Sequence, residues 1–215
     1  MTIKTFTVNP FQENCFLIYD ATKQAALIDP GCYFPQEKEA VCRFVEQEGL
    51  SVCRLLCTHL HPDHIFGLSF FAEKYNLPVE AHEGDAEWLE KAPWYSRQLG
   101  LEWREPELGK PATIGRALSH GDEISFGETT LRVIHTPGHS RGSICFYNEN
   151  TADLFSGDTL FQYSVGRSDL PGGNGSDLLR SIQEKLFILP DTVRVHPGHG
   201  PSTAIGEERL HNPYA

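Results

Sequence analysis

Thr58-His59-Leu60-His61-Pro62-Asp63-His64 constrains this chain more than any other stretch. Three histidines and an aspartate fall within six residues, directly after the apolar run Leu55-Leu56-Cys57. Imidazole and carboxylate are ligands for zinc and its first-row neighbours. In extended backbone side chains alternate, so His59 and His61 point the same way. Pro62 pushes His61 towards extended backbone and suits the first turn of a helix. Asp63 and His64 are then expected to project from that turn, beside a strand end. A loop with a few solvated histidines is the bland alternative, and it fails if the rest of the chain supplies further ligands.

At 215 residues the chain is long enough for a sizeable core. It is 40% hydrophobic and 22% charged, which places it among globular proteins. A net charge of −11 argues against general binding to nucleic acid or an anionic membrane. None of the cysteines Cys15, Cys32, Cys42, Cys53, Cys57 and Cys145 forms a C-x-x-C pair, so a sulfur zinc knuckle is not expected. Several lie in apolar runs and read as reduced, buried small hydrophobes. The N-terminus lacks an apolar signal region and no long apolar run occurs, so the expected location is the cytoplasm.

Strands are expected at Ile3 to Val8, Asn14 to Tyr19 and Ala25 to Ile28, the last ending in the turn signal Asp29-Pro30-Gly31. Pro35 to Glu48 has helical spacing and Gly49 is placed to end it. Val52 to Cys57 reads as the strand that delivers the histidine-rich loop. Ile65 to Tyr75 reads as a helix, Pro78 to Ala81 as a short strand, and Glu83 to Gln98 as a helix that Pro93 should break or restart. Residues 100 to 119 are the least readable, with Glu102, Arg104, Glu105 and Glu107 suggesting a solvated connection. Strands return at Glu123 to Phe126, Leu131 to His135, Ser143 to Tyr147, Leu154 to Ser156 and Val193 to Val195. Ser176 is the expected cap of a helix that presents Leu178, Leu179, Ile182 and Leu186 on one face. Both halves begin with antiparallel-looking strands and end in α/β units. The expectation is one domain over 1–215, with two similar halves, sheets inside and helices outside.

Three later loops repeat the pattern of a ligand-type residue beside glycine just past an apolar strand. They are Thr136-Pro137-Gly138-His139, Gly157-Asp158-Thr159 and Pro197-Gly198-His199-Gly200. Each is weak alone; with Thr58 to His64 they form a set that resembles the metallo-β-lactamase-fold hydrolase superfamily across the whole chain. Gly166-Arg167-Ser168-Asp169 and Glu208-Arg209-Leu210-His211-Asn212-Pro213 are similar to segments of short bacterial type II glyoxalase II (hydroxyacylglutathione hydrolase-like) proteins.

That resemblance implies an α/β fold, a four-layer αββα sandwich with metals at one edge. It implies that His59, His61 and His139 bind a first metal, that Asp63, His64 and His199 bind a second, and that Asp158 bridges them. The metals would be two divalent ions, zinc first, with iron or manganese open. Asp63 would also orient a hydroxide held between the metals, in a hydrolase of S-D-lactoylglutathione or a related acylglutathione. The partner is then a small-molecule thioester. A thioester is compatible with the absence of an obvious general acid, because a thiol with a pKa of about 8.5 leaves readily as the anion. Arg167 and Tyr163 are candidate substrate contacts, although a salt bridge and simple packing explain them equally. Glyoxalase II proteins with an added C-terminal helical region carry basic glutathione contacts there; this chain ends at Ala215, soon after the last ligand loop, and those contacts are not expected. His135 reads as a packed histidine and His196 as a neighbour of the ligand His199; His82, His120 and His211 receive no role. An iron-dependent glutathione persulfide dioxygenase, using His61 or His59 with His139 and Asp158, is the main rival. A non-catalytic metal-stabilised module is a lesser one, since a structural zinc needs only about four ligands. Residues 100 to 119 and the loop around Arg167 are where substrate choice is expected to lie.

Overall fold

Alternation of side chains along the strands decides the layering. In the computed structural model, which describes residues 1–104 and 112–214, strands β2 (Glu13–Tyr19) and β3 (Gln24–Ile28) are buried on both faces. Leu17 and Leu27 enter one core, whereas Phe16, Ile18, Ala26 and Ile28 enter another. Burial on both faces explains why these strands read as continuous apolar runs.

With β1 (Thr2–Val8), β4 (Ser51–Leu56), β5 (Val79–Ala81) and β6 (Ile114–Ala117) they form a sheet in the order β1-β2-β3-β4-β5-β6. Pairing is antiparallel from β1 to β3 and parallel from β3 to β6. The second half repeats the plan with β7 (Glu123–Phe126), β8 (Thr129–His135), β9 (Ile144–Asn148) and β10 (Asp153–Gly157). A small hairpin, β11 (Leu160–Phe161) and β12 (Ser164–Val165), intervenes before β13 (Arg194–Pro197) and β14 (Thr203–Ala204). The second sheet runs β14-β13-β10-β9-β8-β7, antiparallel except for the parallel pair β10 and β13.

The middle layer of the molecule is apolar: Phe16, Ile28 and Leu56 from the first sheet meet Val133, Phe146 and Phe155 from the second. Helices α1 (Pro35–Glu48), α3 (Leu68–Tyr75) and α4 (Ala86–Gln98) cover the outside of the first sheet through Val41, Phe71 and Trp88. Helices α5 (Gly175–Ser181) and α6 (Ile205–His211) cover the second through Leu178 and Ile205. The expected αββα sandwich of two similar halves is therefore present. Cys53 is half-buried, the other five cysteines are buried, and all six are free thiols. Among the described residues no helix is long and apolar enough to cross a membrane.

Four details correct the sequence reading. Pro93 does not break α4; it lacks a main-chain N–H, but burial of Trp88, Ala92 and Ser96 along one face carries the helix through it. The 100 to 119 region contains strand β6, whose side chains alternate between half-buried and exposed, so it has no strong apolar signature. Within the same region Glu102 and Arg104 are exposed as expected, but Trp103 packs against the first core and the Arg104 guanidinium lies 4.8 Å over the Tyr33 ring. Glu105 and Glu107 lie outside the described residues. The cap of α5 is Asn174 rather than Ser176: its side chain accepts from the main-chain N–H groups of Ser176 and Asp177. Leu178 is buried on that helix, and Ile182 and Leu186 are buried on the wider π-type turn Ile182–Leu186 that follows it.

Candidate metal centre

Loops after β4, β8, β10 and β13 meet at one end of the two sheets. His61 is the cap of the short helix α2 (Pro62–Ile65), with φ −66° and ψ 150°, and Pro62 opens the first turn. Extended backbone before Pro62 and helical backbone after it send His59 and His61 one way and Asp63 and His64 another.

The seven residues implied as ligands come together. The ligand-type atoms of His59, His61 and His139 lie within 4.8 Å of one another, and those of Asp63, His64 and His199 form a second such group. In the first group His139 Nε2 is 2.8 Å from His61 Nδ1 and 3.2 Å from His59 Nε2. In the second, His199 Nε2 is 3.3 Å from Asp63 Oδ2, and His64 Nε2 is 4.0 Å from the same oxygen. Asp158 stands between them. Its Oδ1 is 3.4 Å from His64 Nε2, and its Oδ2 is 3.7 Å from both His139 Nε2 and His199 Nε2.

Outer contacts set which nitrogen faces inward. His139 Nδ1 donates to the Arg167 carbonyl at 2.7 Å and His199 Nδ1 to the Phe11 carbonyl at 3.1 Å. A carbonyl only accepts, so each Nδ1 carries a proton and each Nε2 is the nitrogen left to face the centre. His64 Nδ1 lies 3.2 Å from Asp29 Oδ2, and the same carboxylate accepts from Thr58 N at 2.7 Å and Thr58 Oγ1 at 2.6 Å. His61 is reversed: Nδ1 faces inward, and its ring packs edge-on against Trp88, centroids 4.3 Å apart at 80°. His64 Nε2 and Asp158 Oδ1 are buried with no hydrogen-bond partner in the protein. Buried polar atoms without partners are rare, and a cluster aimed at shared points fits a pair of cations.

Charge follows the same division. Burial lowers the pKa of His59 and His61, aided by neighbouring imidazoles, His61 to about 3. For His64 and His199 burial also lowers, but carboxylates outweigh it: Asp158 is the main opponent at His64 and Asp63 at His199, and both histidines end above their usual value. Asp63 and Asp158, pushed up by burial, are pulled further down by the adjacent histidines and stay ionised. Metal uptake by Asp63, His64 and His199 must therefore displace imidazole protons, whereas His59 and His61 are already neutral. The second group is expected to release more protons on binding and to tighten more steeply as pH rises through the neutral range. Calorimetric titration in buffers of different ionisation enthalpy checks this; equal proton release at both steps would refute it.

Glycine is required at the rim. A Cβ at Gly198 would fall on Asp158 Oδ1 and lie 2.6 Å from His64 Cε1. Gly198→Ala is expected to fold but to weaken metal retention by about 10–100-fold, the range seen when groups supporting ligands are disturbed. Metal analysis after gel filtration reads this, and full metal content in the variant would contradict it.

Arg167 and Tyr163 sit elsewhere than among the ligands. The Arg167 guanidinium pairs with Asp169 through two 2.8 Å bonds in the open, while its carbonyl holds His139. Tyr163 has φ 54° in the turn between β11 and β12 and donates its hydroxyl to Glu207 at 2.6 Å. Buried Glu208 accepts from Tyr163 N and Asn212 Nδ2, both at 2.8 Å, and Asn212 Nδ2 also reaches the Ser164 carbonyl. The terminal Glu208 to Pro213 motif thus ties that hairpin to α6. His196 binds Asp153 at 2.8 Å, and His135 stacks on His82 at 4.1 Å; neither joins the cluster. Reading the sequence missed Asp29, Asn9 and Asn14. Asn9 Nδ2 holds the Asp63 carbonyl at 2.8 Å, and Asn14 Nδ2 holds the carbonyls of Pro197 and Gly200 at 3.0 and 2.9 Å. Asp29 carried a signal, an aspartate before Pro-Gly at a strand end like the other ligand loops. A cavity of about 790 Å³, lined by Ile65, Leu68, Leu89 and Trp103 among others, contains none of the seven residues implied as ligands.

Two sheets enclosed by helices, with histidines and aspartates converging where the strands end, fit a metal-dependent enzyme of the αββα type. The profile of the metallo-beta-lactamase superfamily matches residues 8–202, and the chain belongs to that superfamily. It is 33% identical over 215 residues to the hydroxyacylglutathione hydrolase GloC of Haemophilus influenzae, spanning 100% of this chain and 98% of that protein. Among solved structures it is similar to TTHA1623 in a di-iron-bound form, with TM-score 0.86, 38% identity, and 99% and 100% of the two chains covered. The BLEG-1 B3 metallo-beta-lactamase gives TM-score 0.83 and 36% identity over 99% of each chain. ETHE1 from Myxococcus xanthus gives 0.77 and 29%, over 99% of this chain and 84% of that one.

Proposed function

We propose that the protein is a binuclear metal-dependent thioesterase that hydrolyses S-D-lactoylglutathione or a related acylglutathione. The observation that carries this reading is the Asp158 carboxylate, set between a three-histidine group and the Asp63, His64 and His199 group. The near full-length likeness to GloC supports the substrate class.

His59, His61 and His139 would hold one ion, Asp63, His64 and His199 the other, and Asp158 both. Bound divalent ions supply a Lewis acid for a carbonyl oxygen and bring the pKa of a coordinated water near 7. Ionised Asp63 has 20% of its side chain exposed, the most open of the ligand carboxylates, and accepts a hydrogen bond from the attacking water, fixing its direction. Once the water has given up one proton to solvent, the hydroxide oxygen would bond to the thioester carbon, the C–S bond would break, and the thiolate would leave with the electron pair. That leaving group needs no general acid. This suits a site whose two high-pKa carboxyls, Glu13 and Asp85, are buried at 0% and 1% exposure.

A second reading, an iron-dependent persulfide dioxygenase, draws on the likeness to ETHE1 from Myxococcus xanthus and needs only two of the histidines with Asp158. It leaves Asp63, His64 and His199 without a purpose. Purified protein carrying two equivalents of zinc, offered S-D-lactoylglutathione, is expected to release free thiol without consuming oxygen. One iron per chain with oxygen uptake on glutathione persulfide, and no thioester cleavage, would overturn the proposal.

A further inference from the structure

We infer that Asp85 is a positioning residue for the three-histidine half of the centre, clamping together the two loops that carry His59, His61 and His139. Asp85 ends the 3-10 turn Glu83–Asp85, leads into α4 and is 1% exposed. Its Oδ2 accepts from Leu60 N at 3.1 Å and from Ser140 Oγ at 2.7 Å, and its Oδ1 accepts from Gly142 N at 2.6 Å. Leu60 lies between His59 and His61; Ser140 follows His139, and Gly142 is two residues further on. One carboxylate therefore joins both loops.

Its surroundings are built to it. A Cβ at Gly142 would lie 2.7 Å from Asp85 Cγ, so the close main-chain approach needs glycine. His82 Nδ1 accepts from Gly84 N at 2.9 Å and stacks on His135, whose Nε2 donates to the Arg141 carbonyl at 2.9 Å. One turn into α4, Trp88 packs against the His61 ring. The other metal group has supports that do not involve Asp85: Asp29 on His64, the Phe11 carbonyl on His199, and Asn9 on the Asp63 carbonyl. The hydrogen bonds of Asp85 thus all come from the loops that carry His59, His61 and His139.

Three donors converge on Asp85, and two are main-chain N–H groups that cannot reverse. Asn offers one acceptor oxygen and turns an NH2 towards a donor, so Asp85→Asn breaks the clamp at nearly constant volume. The test is a cobalt titration of the folded protein followed by visible absorption, with the first-group step assigned as the one lost in His61→Ala. Asp85→Asn is expected to weaken that step about 10–100-fold and to leave the other within a factor of about two. Both steps unchanged, both weakened alike, or loss of the other step would overturn the inference. Should Asp85→Asn not fold, Ser140→Ala removes one donor and is expected to weaken the same step by roughly tenfold; a folded Ser140→Ala protein with an unaltered step would equally overturn it. The inference rests on the metal-centre reading and not on the substrate. An intact thioester leaves it standing, whereas a wild-type chain that binds no cobalt refutes the centre itself.

Discussion

Asp158→Asn is expected to keep its fold, to carry fewer than two metals per chain and to lose thioester hydrolysis by more than about 10²-fold. Substitutions of groups that merely support ligands cost about 10–100-fold in metal affinity or activity, and Asp158 lies closer to the centre than any of them. Its Oδ1 faces His64 Nε2 at 3.4 Å and its Oδ2 faces both His139 and His199 at 3.7 Å. Asn preserves the shape but removes the charge and one acceptor oxygen. The raised pKa of His64 loses its main support at the same time, so the imidazole, still against Asp29, shifts towards the neutral form. Fold is spared because the inter-sheet core of Phe16, Ile28, Val133 and Phe155 does not involve Asp158. Metal analysis beside circular dichroism reads the outcome; a folded variant with two tightly held metals would contradict it.

Chelation is expected to abolish hydrolysis and to lower the melting temperature by about 5–11 °C relative to metal-saturated protein. An ion that binds only the folded chain stabilises it by about 2.7 kcal/mol when present at 100 times its dissociation constant. A chain of this size shifts by about 2–4 °C per kcal/mol. The fold itself should survive. His64 retains its contacts to Asp29 and Asp158, and the core between the two sheets contains none of the seven residues. Calorimetry with and without chelator measures the shift, and restoration by two equivalents of zinc separates it from irreversible damage. A melting temperature indifferent to metal would argue that the seven residues hold no ion.

The clustering was legible because His59, His61, Asp63 and His64 fall within six residues, and one Pro62 explains both the extended backbone before it and the helix after it. Asp158 and His199 are single residues in short glycine loops, and only resemblance linked them to the first cluster. What supports the ligands was less visible. Asp29 and Asp85 act through main-chain N–H groups and hydroxyls far away in the chain, contacts that leave no spacing pattern. Asp29 read as a turn and Asp85 as part of a helix. The sandwich was foreseeable from strands buried on both faces. Strand β6 was not, because its half-exposed residues carry no apolar run, and Pro93 misled because tertiary burial of Trp88, Ala92 and Ser96 overrides a local breaker. Arg167 illustrates a limit of a different kind: its guanidinium pairs with Asp169, yet its carbonyl, which any residue would supply, orients His139.

The rate of thiol release from S-D-lactoylglutathione under argon, followed as metal-free protein receives zinc up to two equivalents, tests the central claim most directly. The binuclear thioesterase account expects a rate that depends on metal and reaches its maximum only as the second equivalent binds. A fully two-metal protein that leaves this thioester and other acylglutathiones intact would contradict it.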